Sequence, residues 1–281
     1  MSALGIIAGG GELPRAVAKS VRESGRNIFV IGLRGAADPE ISEFPHDWIS
    51  LGEAGKLFRL LRANDCGEVL FTGRVARPKF NELKTDMKGI MLLPRVAAAA
   101  REGDDALLRA LMDILTGEGF QAVGIAEAAP GLLTPQGALG SVKPDAQQER
   151  DIALGVKVVR RLGALDVGQS AVVSNGLVLA IEAAEGTDAM MRRVPQLQES
   201  IRGSESRPRG VLVKALKPTQ DGKTDLPVIG LQTIENARRV HLAGIAIEAG
   251  RTLIVDRGAV AAAADAAGLF LVGFPSSAHE Q

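Results

Sequence analysis

Residues Ala3 to Gly25 read ALGIIAGGGELPRAVAKSVRESG, and the order of residue types in this stretch decides the fold class. ALGIIAG is an apolar run of strand length, and the glycines Gly9, Gly10 and Gly11 supply a tight turn after it. LPRAVAKSVRESG then has helical spacing, with Pro14 near its first turn and Gly25 at its stop. A strand, a glycine turn and a helix make the first half of a βαβ unit. The alternation continues outward: NIFVIGL is a second strand, EAGKLFRLLRAND a second helix and EVLFTG a third strand. DDALLRALMDILTGEG is a further helix and FQAVGIA a short strand. Right-handed βαβ connections then predict a parallel sheet with helices on its faces.

Past Ala128 the pattern dissolves into AAPGLLTPQGALGSVKP, rich in proline and glycine, which reads as a linker. The expected organisation is an N-terminal Rossmann-like domain over residues 1–130, a linker over 131–144 and a C-terminal domain over 145–281. The second domain opens with the helix AQQERDIALGVKVVRRLG, and Asn175-Gly176 between two apolar runs marks a β-hairpin. It closes with the helix TIENARRVHLAG, the strands IAIEAG and TLIVD, the helix GAVAAAADAAG and the strand LFLVGF. A hairpin among such elements makes this domain mixed α/β, so the class is α/β throughout.

Composition removes several function classes. Lys plus Arg and Asp plus Glu number 33 each, aromatic residues make up 3% and tyrosine is absent. Neither a basic field nor a set of stacking platforms is available for nucleic acid, so no nucleic-acid partner is expected. Cys66 is the single cysteine, and His46, His241 and His279 stand far apart, so a soft-metal site has no basis and any metal should be hard and oxygen-bound, such as Mg²⁺. MSALGIIAGGG lacks the basic start of an export signal, and AVAAAADAAGLFLVGF is interrupted by Asp265 and glycines, so a cytoplasmic protein without a membrane span is expected.

Four stretches carry candidate chemistry. AGGGELP, with Gly9, Gly10, Gly11 and Glu12, lies where a parallel sheet presents its ligand crevice; it is either a phosphate-binding loop or a tight turn. Pro14 stands where the dinucleotide motif has its last small residue, and the second strand ends in Leu33-Arg34 without a ribose-binding acid, which argues against a nicotinamide enzyme. TGRVARP offers Arg74 and Arg77 as fork-shaped phosphate ligands or as solvated surface charges, and Asp104 and Asp105 in REGDDAL are helix caps or hydroxyl or metal ligands. AIEAAEGTD brings Glu182, Glu185, Thr187 and Asp188 close together, and such carboxylates repel one another unless a cation or donors compensate.

The fourth is KALKPTQDGKTDLPVIG, Lys214 to Gly230, which sets three lysines and two aspartates between two apolar runs. Asp221-Gly222 fits a polar turn, which leaves Asp225 unexplained. Lys214 and Lys217 point to opposite faces of an extended strand, and share a site only if the chain bends near Pro218. Lysines for anionic oxygens and carboxylates for Mg²⁺ are what cleavage of a phosphoanhydride requires.

Taken together, GIIAGGGELP, GRVARP, DDALLRAL, LAIEAAEGTDAM and VKALKPTQDGKTDLPVIGLQTI resemble, in order from Gly5 to about Gly273, the LpxI-type UDP-2,3-diacylglucosamine pyrophosphatases of lipid A biosynthesis. The resemblance implies two domains with the ligand cleft between them, a domain hinge, Mg²⁺, and hydrolysis of an acylated UDP-sugar to UMP and lipid X. It places Gln220, Asp221, Asp225, Lys214 and Lys217 at the catalytic centre, with Asp225, Asp221 and Asp188 as metal ligands. Gly9, Gly10, Gly11, Glu12 and Arg74 would bind the nucleotide side, and Glu185, Thr187 and Asp188 the sugar and phosphate groups. Lys223 stands where arginine is expected. Two acyl chains call for an apolar slot, for which KGIMLLPRVAAAA and the helix GAVAAAADAAG are candidates, with ordinary helix packing the other use of both, and for transient contact with the cytoplasmic face of the inner membrane. A homodimer is expected from the prevalence of symmetric pairs. The alternative is a non-catalytic nucleotide-sugar or lipid-binding protein, which needs the phosphate contacts without the metal-linked carboxylates.

Overall fold

The opening run forms β1 (Ala3–Ala8), buried at every position, and the three glycines turn the chain into α1 (Glu12–Glu23). Pro14, Val17, Ala18 and Val21 of α1 recur at helical spacing and make its buried stripe. These elements belong to a computed structural model that describes residues 2–76, 83–218 and 226–276 and divides into two units at Gly131/Leu132. The N-terminal unit continues with β2 (Ile28–Leu33), β3 (His46–Ile49), α2 (Ala54–Ala63), β4 (Cys66–Thr72), α3 (Met87–Glu102), α4 (Asp104–Gly117), β5 (Gln121–Ala122) and α5 (Ile125–Ala128). Its sheet is parallel at every pairing, in the order β3-β2-β1-β4-β5. Helices cover both faces: Phe58 and Leu61 of α2 and Ile114 and Leu115 of α4 pack with Ile7, Ile31 and Val69 on one, while α1 takes the other. Strand order reverses between β1 and β4, the place at which a doubly wound sheet opens a crevice at its carboxyl edge.

The sequence pattern missed β3, while KGIMLLPRVAAAA, read as an apolar wall or as ordinary helix packing, makes up most of α3. β3 has only one fully buried residue, so its apolar signal is weak, and α3 carries Pro94 in its interior. What secures α3 is Asp86, whose carboxylate accepts hydrogen bonds from Gly89 N at 2.8 Å and from Lys56 N, in the first turn of α2, at 3.0 Å. One side chain therefore caps two helices.

The C-terminal unit contains β6 (Gly137–Ala138), α6 (Ala146–Ala164), β7 (Ser170–Ser174), β8 (Leu177–Ile181), α7 (Thr187–Met191), α8 (Glu199–Arg202), β9 (Gly203–Ser204), β10 (Arg207–Pro208), β11 (Val211–Lys214), β12 (Val228–Ile229), α9 (Leu231–Arg239), β13 (Gly244–Glu248), β14 (Leu253–Ile254), α10 (Arg257–Ala266) and β15 (Phe270–Phe274). Its main sheet runs β6-β15-β13-β11-β7-β8, with the three strands β11, β13 and β15 parallel and β6, β7 and β8 attached antiparallel. This is the mixed sheet that the hairpin signal demanded. The stretch read as a linker does more than connect, because Gly137 and Ala138 pair with β15 and Thr134 donates its hydroxyl to Thr252 O at 2.9 Å. Proline and glycine there shape an edge strand.

Strand alternation sorts the sheet's side chains between two cores. Val172, Leu212, Ile245 and Ile247 face Met190 and Met191 of α7, Ile234 of α9 and Val260 of α10. Ala171, Val211, Val213 and Ala246 face Val159 of α6. The hairpin between β7 and β8 turns through Asn175 and Gly176, both at positive φ, and their amides each donate at 2.8 Å to the buried Asp151 carboxylate of α6. A helix thus holds the turn of the hairpin it packs beneath.

Two expectations follow. Asp151→Ala removes the acceptor of both turn amides and should lower stability by about 1–3 kcal/mol, read from the urea midpoint. For Asp86, burial works to raise the carboxyl, but the Gly89, Gly55 and Lys56 amides and Arg59 together hold it below its ordinary value of 3.8. Its contribution is therefore complete above that value and disappears as pH falls through the depressed one. The stability difference between wild type and Asp86→Ala should be full at pH 7 and shrink in urea melts below about pH 4.

Candidate active site

The parallel strands β11 and β13 end side by side, so Lys214 and Glu248 stand at the carboxyl edge of the C-terminal sheet. Lys214 lies on the same face as Leu212, two residues earlier and wholly buried, and is itself only 8% exposed. A buried ammonium needs oxygen around it. Lys214 Nζ donates to Thr187 Oγ1, at the start of α7, at 3.1 Å and to Val228 O, at the start of β12, at 3.4 Å. The Thr187 hydroxyl is in turn 3.2 Å from Ser170 Oγ. Ser170 is directly opposite Lys214 in the antiparallel β7–β11 pair. Glu182, just beyond β8, donates its amide to Ser170 O at 2.9 Å; its side chain is buried, and Oε2 has no hydrogen-bond partner among the described residues.

The other predicted residues separate around this centre. Lys217 leaves on the opposite side of the chain, where Nζ pairs with Asp166, just past α6, at 2.9 Å; it does not join Lys214. Glu185 accepts from Arg193 at 2.6 Å, and the same guanidinium donates to Ile181 O at 2.8 Å. Asp188 is exposed in the first turn of α7 and accepts from Asn236 Nδ2 of α9 at 2.9 Å. Gln220, Asp221 and Asp225 lie outside the described residues, as does Arg77. Among the described residues no group of three or more His, Cys, Asp or Glu side chains is arranged to hold a metal ion. Glu248, which the sequence did not single out, is buried with both oxygens bonded: Oε2 accepts from Leu216 N at 3.0 Å and Oε1 from Ser276 Oγ at 2.8 Å. It fixes the backbone just beyond β11.

In the N-terminal unit the glycine loop and the end of β4 are tied together at the strand-order reversal. Gly10 and Arg74 exchange both backbone hydrogen bonds at 2.8 Å, and Gly9 N donates to Thr72 O at 2.8 Å. The Arg74 guanidinium lies beside Gly11, within 3.5 Å of where a Cβ would stand, and Glu12 is exposed in the first turn of α1. The Thr72 hydroxyl is buried with no hydrogen-bond partner among the described residues. Asp38 reaches back from beyond β2, and its Oδ2 accepts from Gly11 N at 2.7 Å. Five residues further on, Glu43 is held by a two-pronged ion pair from Arg15 of α1, with bonds of 2.7 to 3.1 Å. A carboxylate therefore already occupies one amide of the loop. Sequence reading looked for an acid at the end of β2 and found Arg34; the acid that matters to the loop sits four residues later.

Ser170, Asn236, Glu248 and Asp38 were invisible because each acts through a partner far away in the chain. Glu182 had a signal, its place in a cluster of acids. Comparison with known proteins agrees with the two-unit division. Residues 3–132 match the model of the LpxI N-terminal domain and residues 135–272 that of the LpxI C-terminal domain. The UDP-2,3-diacylglucosamine pyrophosphatase LpxI of Caulobacter vibrioides is 50% identical over 273 residues, covering 97% of this chain and 98% of its own.

The junction of loop and strand gives a test. Gly73 has φ +89° and a Cβ there would stand 2.8 Å from Gly9 C, whereas Gly25 has φ +84° with open space around it. Gly25→Ala should cost about 1 kcal/mol, from backbone strain alone. Gly73→Ala adds a clash with the backbone and should cost at least about 2 kcal/mol more, read by thermal melting.

Proposed function

Because the chain belongs to the LpxI family, we propose that it hydrolyses the diphosphate of UDP-2,3-diacylglucosamine to UMP and 2,3-diacylglucosamine 1-phosphate, lipid X. The observation that carries this reading is identity of 50% over 97% of the chain with a pyrophosphatase named for that substrate. The geometry of the C-terminal sheet edge supplies a chemical reason. Lys214 is a positive charge fixed before substrate arrives, and in a site shielded from water it stabilises charge developing on a phosphate oxygen more strongly than a solvated lysine would. Thr187 and the Val228 carbonyl hold it in place, so little reorganisation is needed during the reaction. Asp225 orients the attacking water, Gln220 and Asp221 complete the reacting centre, and Glu185 and Asp188 contact the sugar phosphate. Gly9, Gly10, Gly11, Glu12 and Arg74 bind the nucleotide half.

Mg²⁺ suits the donors available, because Asp188 presents hard carboxylate oxygen at an exposed position and Asp221 and Asp225 add the same ligand type. Bound there, it would neutralise diphosphate charge. Contact with a lipid surface follows from a substrate with two acyl chains. It is supported by α3, where Met87, Ile90 and Met91 form a stripe exposed by 78%, 54% and 72% on a helix that also carries Lys88 and Arg95, paired to Glu118 and Asp113.

The deciding experiment follows UMP release from UDP-2,3-diacylglucosamine with Mg²⁺ and with EDTA. Metal-dependent release is expected, whereas intact substrate in both, with the protein folded, would leave a binding protein. Lys214→Ala should lower kcat by about 10²–10³-fold, and Asp225→Ala should remove most of the metal-dependent rate. Wild-type activity in Asp225→Ala would discard its assignment. Hydrolysis in ¹⁸O-water, with the label located in UMP or in lipid X, identifies the phosphorus attacked. For the lipid surface, Met87→Glu combined with Met91→Glu should reduce sedimentation with phosphatidylglycerol-containing vesicles while leaving melting temperature unchanged.

A further inference from the structure

We infer that Ser170 is a positioning residue for Lys214, an inference that rests on the role given to Lys214 above. Glu182, Ser170 and Lys214 form a row across three adjacent strands. Lys214 is opposite Ser170, and the pairing of Ala171 with Ile181 continues one step to set Ser170 against Glu182. All three share the face of Val172, Ala180 and Leu212, so an apolar core closes the row from one side. Ser170 has no solvent exposure. Its hydroxyl is shielded from bulk water, and among the described residues it bonds to Thr187 Oγ1 at 3.2 Å.

The bond chemistry explains why this matters. An ammonium carries donors and no acceptor, so Thr187 Oγ1 must accept from Lys214. A hydroxyl retains a second lone pair and its own proton, so the Thr187–Ser170 bond can run in either direction without disturbing the first. Threonine has three staggered positions about its Cα–Cβ bond, and rotation would put a methyl group where its oxygen stands. Ser170 selects the position in which the oxygen faces Lys214. Removing the serine oxygen leaves the lysine in the site but frees the group that aims it. Small errors in aim are expensive, since misplacement of about 1 Å can reduce a rate by about 10²-fold.

The test compares wild type, Ser170→Ala, Lys214→Ala and the double variant by kcat and KM for UDP-2,3-diacylglucosamine, with melting temperature alongside. Ser170→Ala should lower kcat about tenfold with KM nearly unchanged, and should have no further effect once Lys214 is alanine. Equal proportional losses in both backgrounds would overturn the inference, as would full activity in Ser170→Ala. Wild-type activity in Lys214→Ala would instead overturn the role of Lys214, and the inference with it. A second readout needs no turnover. In ¹⁵N-lysine-labelled protein, Ser170→Ala should shift the Lys214 ammonium resonance, assigned from its loss in Lys214→Ala, while other lysines stay in place; an unmoved signal would overturn the inference. Should alanine fail to fold, Ser170→Cys, similar in size with a weaker hydrogen-bonding group, takes its place in both measurements, with the same outcomes expected.

Discussion

An ammonium withdrawn from water must be surrounded by oxygen, and the carboxyl edge of the C-terminal sheet is organised by that requirement at Lys214. The sheet delivers the lysine at the last position of β11, above an apolar face that offers it nothing. Two of these oxygens come from separate directions: a hydroxyl at the start of α7 and a carbonyl at the start of β12. These elements are linked to β11 only through the fold, so the site exists only when the register of β7 on β11 and the packing of α7 over the sheet are both correct. Native packing and the placement of this lysine are thus one structural problem.

The two units solve a similar task with different materials. In the N-terminal unit the edge is built from backbone: glycines let the loop after β1 and the end of β4 approach until their amides and carbonyls pair. In the C-terminal unit the edge is built from side chains, with Lys214 and Glu248 on neighbouring strands pointing to opposite faces. Glu248 fixes the main chain after β11 while Lys214 presents charge. Separation by faces also accounts for Lys217, which emerges on the α6 side and pairs with Asp166.

Much of this was legible in the sequence because it is local. Strand, glycine turn and helix follow one another within Ala3 to Gly25, and Asn175-Gly176 specifies its hairpin through the φ angles it accepts. The divergence of Lys214 and Lys217 followed from strand periodicity alone, with no bend bringing them together within the described residues. What stayed hidden is non-local. Ser170 is an ordinary strand residue until β11 lies beside it, Asp38 is one acid among many until its loop folds back, and Glu248 looks like the end of any strand. The start of α3 was hidden for the same reason, because its cap, Asp86, also serves α2, thirty residues away in the chain. The family resemblance reached further than the residue patterns because it rests on whole motifs in order.

The carboxylate of Asp38 on the Gly11 amide changes what ligation at the glycine loop would mean. An anion arriving there enters an exchange, not an empty seat: it gains only the difference between its own bond to Gly11 and the one it displaces, while like charge pushes Asp38 away. The segment that carries Asp38 would not be set loose, since Glu43 stays clasped to Arg15 on α1. Displacement would therefore be a short swing about a retained tether, quick to reverse. An anion held there would bind more weakly than at a vacant amide, because Asp38 competes for the same hydrogen.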